Sequence, residues 1–307
     1  MQVLFLHNFL IYFKKSFIMI NIEDVKKRLE NNPEPPEVTA IRDNILNSFN
    51  KLEFVEEGHK YYLPHDDGSK EELISVSALT KMFEEEQDWD AIAARYALKH
   101  DMSVEDVQRK WLENNLLATN SGTGAHLYGE QWLHFMLNQP ENIDKVILPQ
   151  YEQGYLIPHS PKEKAIMKFQ EDLFGVDSIY PVLVETRVYM GLNDKYKLKT
   201  NYAGTFDMLY ATKVKGKWKL LIYDYKTNKD LYSTFNRDKG NFLLEPFTDL
   251  YDEPLGHYTI QLSAYQLALQ QLGYEIADRK LIWLRDDETY EKISLPDVTN
   301  KIVDALS

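Results

Sequence analysis

The run Leu220-Leu221-Ile222-Tyr223-Asp224-Tyr225-Lys226-Thr227 constrains this chain more than any other stretch. A short apolar run of this kind reads as a buried strand. Strand side chains alternate between faces, so Leu220, Ile222, Asp224 and Lys226 share one of them. A carboxylate and an amine are thereby carried together into the protein, which is costly unless they pair or bind a metal. Upstream, Asp207 ends a second strand-like segment, Tyr202 to Tyr210. Two carboxylates and a lysine on neighbouring strands suit a divalent cation and an attacking water. A Lys–Asp ion pair at a strand end is the competing reading of the same residues.

The remaining pattern supplies the setting. Ile20 to Glu30 and Ala40 to Leu52 read as polar amphipathic helices, and Phe54 to Pro64 with Leu73 to Val76 as a hairpin. Trp89 to Lys99 and Val104 to Leu117 carry helical spacing, the latter behind a Ser103/Asp106 cap. A separate helix is expected from Ser121 to about Leu137, and another over Lys162 to Phe174. Strands follow at Pro181 to Met190, Asn201 to Ala211 and Trp218 to Lys226. A long polar connection, Asn228 to Gly256, precedes a helix over Tyr258 to Leu272 and strands near Lys280 to Leu284 and Tyr290 to Ile293. This order predicts one α/β domain with an N-terminal helical elaboration: residues 20–118 mainly helical with a small hairpin, and 119–307 the core.

At 307 residues the chain can bury a sizeable core. It has no cysteine, which excludes disulfides, a thiol nucleophile and cysteine-ligated zinc or iron–sulfur centres. Any metal must then sit on carboxylate, imidazole or carbonyl, which favours Mg2+ or Mn2+. The net charge of −13 argues against non-specific coating of nucleic acid. Yet Tyr180 to Gly240 holds 12 Lys/Arg against 6 Asp/Glu. That asymmetry fits an anionic substrate; a solvated lysine-rich hairpin over 213–219 explains part of it equally. The first 19 residues read as a dispensable extension or misassigned start, with Met19 the more natural beginning. No targeting or membrane-spanning segment is read elsewhere, so a cytoplasmic location is expected.

Single residues carry less weight. His126 and Glu130 share a helical face at i, i+4, although a lone histidine is more often a core or capping residue than a ligand. Glu185 lies mid-strand among valines, either paired across the sheet or turned into a site. Gly204 permits close backbone approach. Gln261 and Tyr265 share one helix face while Ile260, Ala264 and Leu267 line another.

In order along the chain, however, Gly122-x-x-x-His126, Glu185, Gly204-x-x-Asp207, Asp224-x-Lys226 and Gln261-x-x-x-Tyr265 resemble the RecB-like branch of the PD-(D/E)xK nuclease superfamily, over about 121–284. The resemblance implies a restriction-endonuclease-like core, a central mixed β-sheet flanked by helices. It implies that Asp207 and Asp224 bind metal with His126, the Tyr225 carbonyl and Glu185, that Lys226 is the catalytic lysine, and that Gln261, Tyr265 and Thr227 approach the substrate strand. Gly122, Glu130 and Gly204 would support them. The chain departs from many relatives in having no iron–sulfur cysteines, and it lacks a P-loop, so no ATP is expected.

The resulting expectation is an Mg2+- or Mn2+-dependent deoxyribonuclease, an exonuclease of recombination, repair or phage DNA processing. Its partners would be single- or double-stranded DNA and a recombination protein or further copies of itself, with no membrane. A catalytically silent protein binding DNA ends or a partner on the same core is the alternative.

Overall fold

A computed structural model of the chain describes residues 19–144, 151–152, 154–191, 196 and 198–307. The expected dispensable extension lies outside the described residues except for Met19. The fold is α/β, with a mixed central sheet flanked by helices.

The sheet is built around three long strands, β6 (Ile179–Tyr189), β7 (Tyr202–Val214) and β8 (Lys217–Lys226). They pair antiparallel, β6 with β7 and β7 with β8. Strand β9 (Ile276–Leu284) joins β8 in parallel, and β10 (Tyr290–Ser294) closes that side. On the other side β1 (Glu53–Val55), β2 (Lys60–Pro64) and β3 (Lys70–Ser75) form a meander. It reaches β7 through two parallel pairs, Ile74↔Tyr202 and Ser75↔Ala203. The expected small hairpin is therefore an extension of the central sheet. A further two-stranded ribbon comprises β4 (Tyr151–Glu152) and β5 (Tyr155–Leu156).

Helices α1 (Ile22–Asn31), α2 (Pro36–Phe49), α3 (Val76–Lys81), α4 (Trp89–His100) and α5 (Val104–Met136) come from the first half. Helices α6 (Pro161–Phe174), α7 (Thr234–Lys239), α8 (Pro254–Gln270) and α9 (Thr299–Leu306) follow. Sequence punctuation fixes several starts. Asn21 caps α1 and Ser160 caps α6 through reciprocal boxes with Asp24 and Glu163. Ser103 opens α5 by accepting from the Asp106 amide at 3.0 Å. Helix α5 then runs unbroken for 33 residues, where two helices were expected. Gly122 and Gly124 cost a helix only about 1 kcal/mol each, and no proline interrupts it.

The alternation read in 220–226 sorts the core. Leu220 and Ile222 face one layer with Ile260, Ala264 and Leu267 of α8. Leu221, Tyr223 and Tyr225 face the other, against Tyr128 and Trp132 of α5 and Ile166 and Phe169 of α6. Val38, Ile45 and Phe49 of α2 lie in the α8-side core, so the N-terminal segment shares the hydrophobic interior of the strands. No helix among the described residues is long and apolar enough to cross a membrane.

Candidate metal centre

The centre lies where the sheet splits. Strand β8 pairs with β7 down to Met208↔Tyr223 and no further. Strand β3 takes up the same edge of β7 only at Tyr202 and Ala203. Residues 204–207 therefore face a gap between β3 and β8, and Asp207 and Asp224 are the next opposed pair beyond the ladder. Asp207 is thus in mid-strand rather than at a strand end, because β7 continues pairing to Val214. Its Oδ2 accepts the Tyr225 amide at 2.8 Å, in a stretch where β7 no longer offers β8 a ladder partner.

On the other edge of β7, Glu185 stands opposite Asp207, between Val184↔Met208 and Thr186↔Phe206. Three acids on three adjacent strands thus form one row. Glu185 has φ +42°, left-handed backbone that a non-glycine residue adopts at a cost of about 1 kcal/mol or more. From α5, His126 completes the group, its Nδ1 3.1 Å from Asp207 Oδ2.

The electrostatics follow from crowding. Burial, then the Asp207 charge, raises Asp224 to about 6 despite Lys226. Glu185 keeps an exposed surface, but loss of water around its carboxyl and then the charge of Asp207 raise it to about 8. Burial opposes charging of His126, and Asp207 outweighs it, lifting the imidazole to about 9. Asp207 itself is lowered; burial acts the other way, and His126 prevails. Burial likewise opposes the charge on Lys226, but Asp224 and then Asp207 raise its pKa.

Single donor atoms of His126, Glu185 and Asp207 all lie within 4.8 Å of one another. An imidazole and two carboxylates at that separation fit a divalent cation bound at roughly 2.0–2.3 Å, as Mg2+ or Mn2+ would be. Asp224 is not in this group. Its carboxylate, 1% exposed, is ion-paired to Lys226. The Lys226 ammonium also lies 4.4 Å over the Tyr258 ring. The two continue the Leu220/Ile222 face toward α8, while Tyr225 turns toward α5 and meets the His126 ring edge-on at 6.1 Å.

The other expected residues distribute around this centre. Gln261 Nε2 donates to the Tyr265 hydroxyl at 3.2 Å, and Tyr265 lies beneath, 3% exposed. Gly204 lets the chains close: a Cβ there would meet Tyr265 Cε1 at 2.8 Å and Val76 Cγ2 at 2.9 Å. A Cβ on Gly122 would lie 3.1 Å from Thr227 Oγ1. Glu130 pairs with His134, 3.7 Å away and one turn on.

Residues missed in the sequence hold the strand end in place. A Cβ on Gly129 would stand 2.2 Å from Tyr225 Cε2, so only glycine fits without movement. Its seven-residue spacing from Gly122 puts both glycines on one helix face, a signal that was there to read. Gln170 Nε2 donates to the Tyr225 hydroxyl at 2.8 Å, and Lys162 Nζ to the Thr227 carbonyl at 3.0 Å.

Two further segments find their place. The lysine-rich hairpin over 213–219 caps the far end of β7 and β8, seven residues or about 23 Å from Asp207. Its lysines belong to a solvated turn, with Lys219 paired to Glu275 at 2.8 Å, and do not line the centre. The connection 228–256 is a folded unit: Leu231, Leu243 and Phe247 are buried, and Arg237 is clamped to buried Glu253 at 2.7 Å.

No family model matches this chain, and no curated protein matches it.

Proposed function

We propose that this chain is a metal-dependent DNA nuclease on a restriction-endonuclease-like core, of the RecB-like kind that its ordered motifs resemble. The observation that carries the reading is the row Glu185–Asp207–Asp224 at the split of the sheet, with His126 above it and Lys226 beside it. Such a row of acids is destabilising by itself, as the raised pKa values of Glu185 and Asp224 express. Destabilised, strained arrangements of this kind concentrate at functional sites.

Asp207, Glu185 and His126 would hold Mg2+ or Mn2+, with Asp224 and the Tyr225 carbonyl next to them. A bound cation supplies charge relief at the phosphate and a lowered water pKa. The chain's own groups set the rest. Lys226 keeps its proton, because two carboxylates hold its pKa up. It therefore acts as a fixed positive donor toward developing phosphate charge, not as a base. Asp224 and the Tyr258 ring fix where that ammonium stands. Gln261, oriented by the buried Tyr265 hydroxyl, offers an amide to the substrate strand.

One observation favours the silent alternative: Asp224 is tied to Lys226 and stands outside the donor group. On that reading the core binds DNA ends or a partner without cutting. A time course with Mn2+ on end-labelled single- and double-stranded DNA, linear and circular, separates the two. The nuclease reading predicts cleavage without ATP that stops in excess EDTA; intact DNA together with retained DNA binding supports the silent one.

A further inference from the structure

We infer that the groove along the open edge of β6 holds the nucleotide next to the scissile phosphate. The inference rests on the nuclease reading and adds where the substrate strand goes. Among the described residues β6 pairs only with β7, so its other edge has no strand partner. Between that edge, α2 and the end of α5 lies a groove of about 490 Å³. This is within the range of small-ligand sites, roughly 300–1,000 Å³.

Three features identify the occupant. First, Glu185 belongs both to the groove wall and to the candidate cation ligands. A strand with a phosphate at the cation must therefore send a neighbouring nucleotide along the groove or away from it. Second, Leu46, Leu52 and Leu137 form an apolar wall that suits a base face. Third, Arg187 lines the groove with its guanidinium 4.6 Å over the Phe54 ring and forms no ion pair among the described residues. It remains free to meet a backbone phosphate. Arg42 is committed elsewhere: its Nε donates to the Val182 carbonyl at 2.8 Å, closing one end of the edge. An extended peptide is the other chemistry an open edge attracts. The left-handed Glu185 interrupts the alternating amides and carbonyls such a peptide needs.

The test uses the full chain with two groove substitutions at exposed positions outside the cation site, Leu46→Glu and Asn50→Trp. A third, Leu46→Lys, places a cation at the same point. Two readouts are taken: KM and kcat on a single-stranded oligonucleotide with Mn2+, and binding of thymidine 5′-monophosphate in EDTA. Leu46→Glu and Asn50→Trp should raise KM and the nucleotide Kd at least about fivefold, with kcat within about twofold, because uniform binding is lost. Leu46→Lys should lower both constants. Mn2+ affinity and melting temperature should match wild type in all three. If wild type cuts DNA and the variants match it in both readouts, the groove assignment is wrong, including the case in which the edge takes a peptide. If wild type cuts nothing, the nuclease reading and the groove assignment fall together.

Discussion

The Tyr225 ring fills the space in which a side chain at position 129 would have to stand, with Cε2 2.2 Å from the Cβ that Gly129 lacks. Tyr225 is the residue whose amide holds Asp207, so helix α5 sets the centre's geometry through a missing methyl group. Gly129→Ala should therefore destabilise the protein by about 1–3 kcal/mol, the usual cost of overpacking, despite alanine's better helix propensity. Urea unfolding measures this. The same variant should bind Mn2+ more weakly, as titration calorimetry would read.

The acid row makes a pH prediction for protein stripped of metal. Asp224, raised to about 6, and Glu185, raised to about 8, contribute stability below their ordinary values that is lost as pH climbs through those points. His126, raised to about 9, contributes below its ordinary 6.5 and loses that contribution as pH rises through 9. Asp207, lowered, has the opposite sign and matters only in acid. Melting temperature in EDTA should fall between about pH 5 and about pH 9. Saturating Mn2+ should flatten or reverse the slope, since it binds the deprotonated forms. A metal-free melting temperature that rises across this range would contradict the assignment.

Asp224 and Lys226 are paired, yet their removal should be unequal. Lys226→Met leaves Asp224 and Asp207 facing each other without their buried cation, a loss of the ~3–5 kcal/mol kind. Asp224→Asn relieves a repulsion, and Lys226 keeps the attraction of Asp207. Apo melting curves should show the lysine variant clearly less stable than the asparagine variant. Equal losses would reduce the pair to a simple structural bridge. If Lys226→Met folds at low temperature, it should still bind Mn2+ but cut at least about 100-fold more slowly, the loss typical of one preorganised charge donor.

Tyr265 is buried with its hydroxyl accepting from Gln261 at 3.2 Å. Tyr265→Phe should therefore act by freeing the Gln261 amide, and Gln261→Ala should mimic it. Both should raise KM or lower kcat on DNA with Mn2+ affinity unchanged. Wild-type kinetics in both variants would remove this pair from the site.

The strand Leu220–Lys226 is legible because a short, continuous apolar run ending in Asp-x-Lys reads as a strand buried on both faces. The helix boundaries around 121 were not, because Ser121 and two glycines look like a start but cost too little to stop a helix already running. The charge asymmetry of 180–240 left two readings open, and the β7–β8 register decides for the solvated hairpin over 213–219, since sequence proximity to Asp224 says nothing about which end of a strand faces the centre. The parallel contact of β3 with β7 spans two residue pairs separated by well over a hundred positions, a non-local pairing without a local cue. Helix α9 spans only eight residues, too few for helical spacing to mark it clearly in the sequence. Gly129 does not stand out in the sequence, because a glycine inside a helix ordinarily reads as tolerated rather than required.

On the proposed reading, Asp207 organises a cation for DNA hydrolysis. Wild type and Asp207→Asn, purified side by side, should be compared on end-labelled DNA with Mn2+ and with EDTA. Wild type should cut only with Mn2+, and Asp207→Asn should leave the DNA intact while remaining folded by circular dichroism. Cleavage by Asp207→Asn at the wild-type rate, or cleavage by wild type in excess EDTA, would contradict the account.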